Sequence, residues 1–154
     1  MDDKDRLFLA YLRNNARMNL TTLSKKTGIP ISTLYDRLKA GERSVIIKHT
    51  TLLDFGSIGY GCRANIIFKI EREAREAVRL YLSKHTSVNS LFKINNGYDY
   101  MIEAIFRNIR ELEDFLELVD DKFKVLDKHV HYIIEEITRE NFLTDTNVNM
   151  DVAA

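Results

Sequence analysis

Leu20-Thr21-Thr22-Leu23-Ser24-Lys25-Lys26-Thr27-Gly28-Ile29-Pro30-Ile31-Ser32-Thr33-Leu34-Tyr35-Asp36-Arg37-Leu38-Lys39 is the stretch on which the architecture turns. Asn19 is a good N-cap, and it opens a short helix that carries Leu20 and Leu23 on one side. Gly28 stands where the chain must turn sharply, because glycine takes a left-handed conformation without steric cost. Ile29 plugs the corner. Pro30 cannot continue the preceding helix but suits the start of the next. The spacing predicts that next helix over about Ile31–Ala40, burying Leu34 and Leu38, with Gly41 closing it. Upstream, Phe8, Leu9 and Leu12 mark one face of a first helix over Asp5–Asn14. Two helices about a tight glycine turn with an apolar corner residue, preceded by a third, describe a helix-turn-helix.

The side chains left outward on the last of these helices are Ser32, Thr33, Asp36 and Arg37, with Tyr35 at the margin and Lys39 a turn further on. Short hydroxyls allow close approach to a DNA major groove, and Arg37 has the fork to donate two hydrogen bonds to guanine. Asp36, repelled by phosphate, either reads a cytosine amino group or holds Arg37 in place. Thr21, Thr22, Lys25 and Lys26 lie where the preceding helix would cross the sugar-phosphate backbone, giving position without sequence information. Charge separates this reading from a purely structural three-helix unit. Residues 1–55 hold ten basic and six acidic side chains, and between Arg6 and Lys48 the ratio is nine to two. A field of one sign favours a polyanion partner.

Beyond Gly41 the period changes. Ser44–Leu53 is β-branched and predicts a strand or small hairpin. Residues 54–61 carry three of the six glycines and read as a linker. Then come a strand (Arg63–Ile70), a helix (Arg72–Lys84, with Ala74, Ala77, Val78, Tyr81 and Leu82 inward), and a strand (Val88–Ile94). Asn95-Asn96-Gly97 is a turn that needs positive φ. A returning strand (Tyr98–Phe106), a helix (Asn108–Phe123, burying Ile109, Leu112, Phe115, Leu116 and Val119) and a last strand (Val125–Glu136) follow. The order is βαββαβ, a ferredoxin-like arrangement with two helices on one sheet face. The expected fold is therefore α+β. An N-terminal three-helix (winged) helix-turn-helix over residues 1–50 is joined by a strand linker, 51–61, to a ferredoxin-like domain, 62–140, with a flexible tail at 141–154. Strands apolar at most positions, such as Ile66-Ile67-Phe68 and Tyr132-Ile133-Ile134, imply burial on both faces and a homodimer packed sheet to sheet.

Composition excludes much else. The chain has 154 residues, 45% apolar, with 23 basic and 23 acidic side chains, which is a globular composition and not a disordered one. No apolar run approaches the roughly 18 residues of a membrane span. No export signal is visible and Cys62 is the only cysteine, so a disulfide framework is excluded and a cytoplasmic location is expected. There is no phosphate loop, nucleophile elbow or metalloprotease motif. His129 and His131 share a strand face and suit either a metal pair or, with no third ligand near in sequence, a packed interfacial pair. No catalytic residue, metal or cofactor is expected. An enzyme using Asp99 with His131 is remote. The stronger rival is a metabolite-binding regulatory protein whose helical head docks protein instead of DNA.

From about Asp5 to Glu136 the chain resembles the leucine-responsive/asparagine-regulator (Lrp/AsnC) transcription regulators. The likeness is carried by Asp5-Arg6 with Phe8-Leu9, Asn15-Ala16-Arg17, Leu23-Ser24-Lys25-Lys26-Thr27-Gly28-Ile29, Leu53-Asp54 through Ile58-Gly59, and Gly97-Tyr98-Asp99-Tyr100. Pro30 and Ile31 depart from the family's usual Ser and Pro. The resemblance implies a regulator that binds double-stranded DNA, dimerises through the C-terminal sheet and often assembles to octamers. It also implies an amino acid or other small effector near Gly97, Tyr98, Asp99 and Tyr100. Their chemistry is compatible: glycine lets a ligand approach the backbone, Asp99 can accept an α-ammonium, and either tyrosine can form a wall. An ordinary hairpin, with Asp99 bonding its own turn amides, fits equally.

Overall fold

The computed structural model describes residues 1–147, which fall into two compact units. One comprises Met1–Leu52 with the segment that begins at Ile137, and the other is Leu53–Glu136.

In the first unit, α1 (Asp3–Asn14), α2 (Leu20–Thr27) and α3 (Ile31–Glu42) pack about Phe8, Leu23, Ile29 and Leu34. Leu9, Tyr11, Leu12, Met18, Leu20 and Leu38 close around that centre. Asp2 caps α1 in a reciprocal capping box with Asp5. The Asn19 side chain caps α2 by accepting from the Thr22 amide at 2.8 Å. Gly28 ends α2 at φ 70, as the turn requires, and its N–H donates to the Ser24 carbonyl at 2.8 Å.

Gly41 does not close α3. The helix runs one residue past it, and the glycine is buried because the Ile46 side chain folds against it: an added Cβ would lie 3.0 Å from Ile46 Cδ1. The expected strand over Ser44–Leu53 is also absent. Residues 43–45 form a turn and 46–54 have no regular secondary structure, so the linker is not a strand and no wing hairpin is present among the described residues of the head. β-branched residues favour extended backbone, but a strand exists only where a ladder partner satisfies its amides.

In the second unit a 3₁₀ turn at Gly56–Ile58 leads into β1 (Cys62–Ile70), a second 3₁₀ turn (Arg72–Ala74) and α4 (Arg75–Lys84). β2 (Val88–Lys93), β3 (Tyr100–Phe106), α5 (Ile109–Lys122) and β4 (Val125–Tyr132) complete it. The sheet order is β2-β3-β1-β4, and every pairing is antiparallel. β1 alternates strictly: Cys62, Ala64, Ile66, Phe68 and Ile70 point into the core, meeting Val78 and Leu82 of α4 and Leu112, Phe115, Leu116 and Val119 of α5. Two helix positions depart from expectation. Ala77 is exposed, and Ile109, the first residue of α5, is 59% exposed.

The other sheet face carries Arg63, Asn65, Ile67 and Lys69 of β1, Met101 and Glu103 of β3, Phe92 of β2, and Asp127, His129 and His131 of β4. Its central charges are already matched. Arg63 bonds both Glu103 and Glu136, and Glu103 also accepts from Asn89 at 2.9 Å. β4 ends at Tyr132, short of the expected Glu136, and Ile134 is almost fully exposed.

Within the expected flexible tail, Phe142 and Thr144 are bonded to α1, and 148–154 lie outside the described residues. Arg13 Nε donates to the Phe142 carbonyl and Nη2 to the Glu140 carbonyl, both at 2.9 Å, and Nη2 pairs with the Glu140 carboxylate at 3.0 Å. Asn14 adds a bond to the Thr144 carbonyl at 2.6 Å. Glu140 and Leu143 adopt positive φ, 56° and 58°, where non-glycine residues are uncommon.

Candidate nucleic-acid interface

α3 is anchored by the fully buried Leu34, with Leu38 half-buried beside it. Ile29 is held by the corner itself: Ser24 Oγ donates to its carbonyl at 2.6 Å, and its amide donates to Thr27 Oγ1 at 3.3 Å. With the inner side pinned, Ile31, Ser32, Thr33, Tyr35, Asp36 and Lys39 are left in solvent. Tyr35 is 51% exposed, and the Lys39 ammonium sits 5.8 Å from its ring centroid. Lys39 also bonds Glu42 at 3.0 Å, which raises its pKa above the ordinary lysine value and keeps it cationic. On α2, Thr21, Lys25 and Lys26 are exposed, with Lys26 lying 5.8 Å from the Tyr11 ring centroid. Thr22 is half-buried at the capped first turn.

Arg37 departs from the sequence-based expectation of an open guanidinium. Its side chain is only 22% exposed and is turned onto the first turn of α1. Nη1 bonds the Asp5 carboxylate and lies 3.3 Å from Asp2 Oδ1, while Nη2 lies 3.3 Å from Asp2 Oδ2. Nε is fully buried. The residues that hold Arg37 are thus Asp2 and Asp5, not Asp36. Sequence reasoning missed both; the legible trace was the Asp2-x-x-Asp5 spacing of a capping box.

The second candidate set, at the hairpin, does not converge. Asn96 and Gly97 take the expected positive φ, 62° and 85°. Tyr98 extends over the open sheet face, where its hydroxyl donates to Asp127 at 2.9 Å and lies 2.6 Å from His129 Nε2. That bond lowers the Asp127 pKa and raises that of Tyr98. Asp99 is 14% exposed and both its oxygens are engaged: one accepts from the Ile70 amide at 2.8 Å and the other pairs with Arg75 at 2.8 Å. An α-ammonium would have to displace Arg75, a residue the sequence reading did not single out. Tyr100 is buried in the core and donates to the Arg75 carbonyl at 3.2 Å. Strand alternation alone would put Tyr98 and Tyr100, two apart, on one face; they part because β3 begins only at Tyr100 and Tyr98 still lies in the turn segment before it. His129 and His131 stack with ring centroids 6.4 Å apart. Among the described residues no group of three or more His, Cys, Asp or Glu is placed to hold a metal ion, and no helix is long and apolar enough to cross a membrane.

A winged helix-turn-helix DNA-binding family matches residues 1–40. The HTH-type transcriptional regulator FL11 of Pyrococcus horikoshii is 29% identical over 120 residues, covering 77% of this chain and 80% of that protein. Among solved structures, the transcriptional regulator NMB0573 of Neisseria meningitidis, in complex with L-Met, superposes with a TM-score of 0.83 at 25% identity. The match covers 90% of this chain and 93% of that one. An AsnC family transcriptional regulator from Agrobacterium tumefaciens gives a TM-score of 0.81 at 20% identity over 90% and 94% of the two chains.

Proposed function

The chain is a transcriptional regulator of the Lrp/AsnC type with a DNA-binding helix-turn-helix, and from that premise we propose that it works as a homodimer whose two α3 helices read successive half-sites of a duplex. Ser32, Thr33, Tyr35 and Asp36 meet base edges, while Thr21, Thr22, Lys25, Lys26 and Lys39 hold the phosphates. The observation that supports this reading is the outer side of α3. Polar and aromatic side chains stand in solvent along it while Leu34, on the reverse, is fully buried. One helix in one groove binds weakly, so two-fold pairing is needed to engage two half-sites one helical turn apart.

The second unit supplies the pairing. Ile67, Met101 and Phe92 give its open sheet face an apolar content, and the pairing of Arg63 with Glu103 and Glu136 lowers the penalty for covering that face with a second copy. A small effector of the amino-acid class docks at the exposed turn, where Gly97 leaves the backbone accessible and Tyr98 supplies a wall. The bound L-Met of the Neisseria relative favours that class. Asp99 then shapes the turn through Ile70 and Arg75, and coupling arises only if the effector prefers one assembly over another.

Selection of bound duplexes from a random pool, followed by titration of the winner at several salt concentrations, tests the reading. Sequence-selective binding is expected, with log K falling against log salt at a slope of roughly −5 to −9 for six to ten phosphate contacts per dimer. Equal affinity for all duplexes, or a flat salt response, overturns it in favour of a head that docks protein.

A further inference from the structure

We infer that Arg37, although it lies on the recognition helix, is a positioning residue: with Asp2 and Asp5 it forms a clasp that sets the angle of α3 against α1, and it does not read bases. The inference rests on the reading of α3 as the helix that enters the groove.

The geometry leaves the guanidinium no free pair of donors for a guanine. A two-pronged contact to guanine uses either both terminal nitrogens or one of them with Nε. Here Nη1 is bonded to Asp5 and Asp2, Nη2 faces the second oxygen of Asp2, and Nε is buried. The carboxylates are themselves held in place. Asp2 is the N-cap of α1 and accepts from the Asp5 amide at 2.6 Å, so the same box that starts α1 also grips the second turn of α3. Charge points the same way. Two carboxylates around one guanidinium leave a net negative group, and withdrawing Arg37 toward DNA would bare both acids beside the phosphates. The clasp links positions 2 and 5 to position 37, joining α1 to α3, whereas the apolar contacts of Leu34 and Leu38 are less directional.

Two variants decide the matter, both assayed on the full chain against the pool-selected duplex and an unrelated one. In the first, Asp2→Asn and Asp5→Asn are combined; asparagine keeps the side-chain oxygen that caps α1 while removing the charge. In the second, Arg37→Gln removes the guanidinium. A clasp predicts that each weakens binding to both duplexes alike, by about three- to tenfold. It also predicts that the combined triple variant is no weaker than Arg37→Gln alone. The preferred half-site and the salt slope stay as in the wild type. If the double asparagine variant binds more tightly, Arg37 was being withheld from DNA and the inference is overturned. A shifted base preference in Arg37→Gln, or a salt slope reduced by about one, overturns it too. The sign of the asparagine result decides on its own should Arg37→Gln fold poorly. A wild-type chain that binds no duplex sinks the parent reading, an outcome distinct from all of these.

Discussion

At φ 70, Gly28 sits in open space: an added Cβ would meet nothing within 4 Å, so its requirement is conformational alone. Gly28→Ala should therefore lower stability by about 1 kcal/mol in chemical denaturation, and Gly28→Asn by less, since asparagine tolerates the left-handed region. Unchanged stability in Gly28→Ala would contradict the turn geometry. His85 offers a test in the second unit. Its ring packs edge-on to Phe115 at 4.8 Å, its Nδ1 accepts from the Ser87 amide at 3.2 Å, and burial lowers its pKa below the ordinary 6.5. The unfolded chain thus takes up a proton that the folded chain resists. The contribution of His85 to stability is whole above about pH 6.5, declines as pH falls toward the lowered folded value, and levels off beneath it. The melting temperature should drop across that window, and His85→Gln should remove part of the slope. Identical pH profiles for the two proteins would exclude His85 as the source.

Among the elements, the segment from Glu140 to Thr144 is held in place by α1. Two residues at positive φ, with carbonyls gathered on Arg13, describe a backbone bent to fit one guanidinium. Replacing Arg13 by Ala should release the segment, seen as faster amide exchange over residues 140–147, while the amides of α2 and β1 keep their protection. Slow exchange that survives the substitution would mean that the other contacts suffice. Helix faces were legible in the sequence where a position lay mid-helix, as at Leu112, Phe115, Leu116 and Val119. They failed at the start of α5, where Ile109 has no turn before it to carry it onto the core. The strand expected at Ser44–Leu53 failed for another reason: its composition favours extended backbone, but no neighbouring strand is supplied within the described residues.

For the whole molecule, the decisive surface is the open face of the β2-β3-β1-β4 sheet. Ile67 lies at its centre, between Met101 of β3 and His129 of β4. Ile67→Asp would place an uncompensated charge in any sheet-to-sheet contact, at a penalty of several kcal/mol. Sedimentation should then show a monomer where the wild type sediments as a dimer, and affinity for a two-half-site duplex should fall by about 100-fold or more. A wild-type protein that sediments as a monomer at micromolar concentration would dismiss the sheet-to-sheet dimer.

Local rules were enough to establish the helix-turn-helix and the βαββαβ order from the amino acids alone. Capping at Asn19, the left-handed residue at Gly28, the corner at Ile29 and the two-residue period of β1 each depend on neighbours a few positions away. What only the folded chain decided was where the long polar side chains went. Arg37 chose two carboxylates more than thirty positions distant, Arg13 chose carbonyls at the far end of the chain, and Asp99 chose the Ile70 amide and Arg75. Flexible charged groups take whichever partners the packed backbone brings within reach, and that choice has no periodicity to betray it in advance.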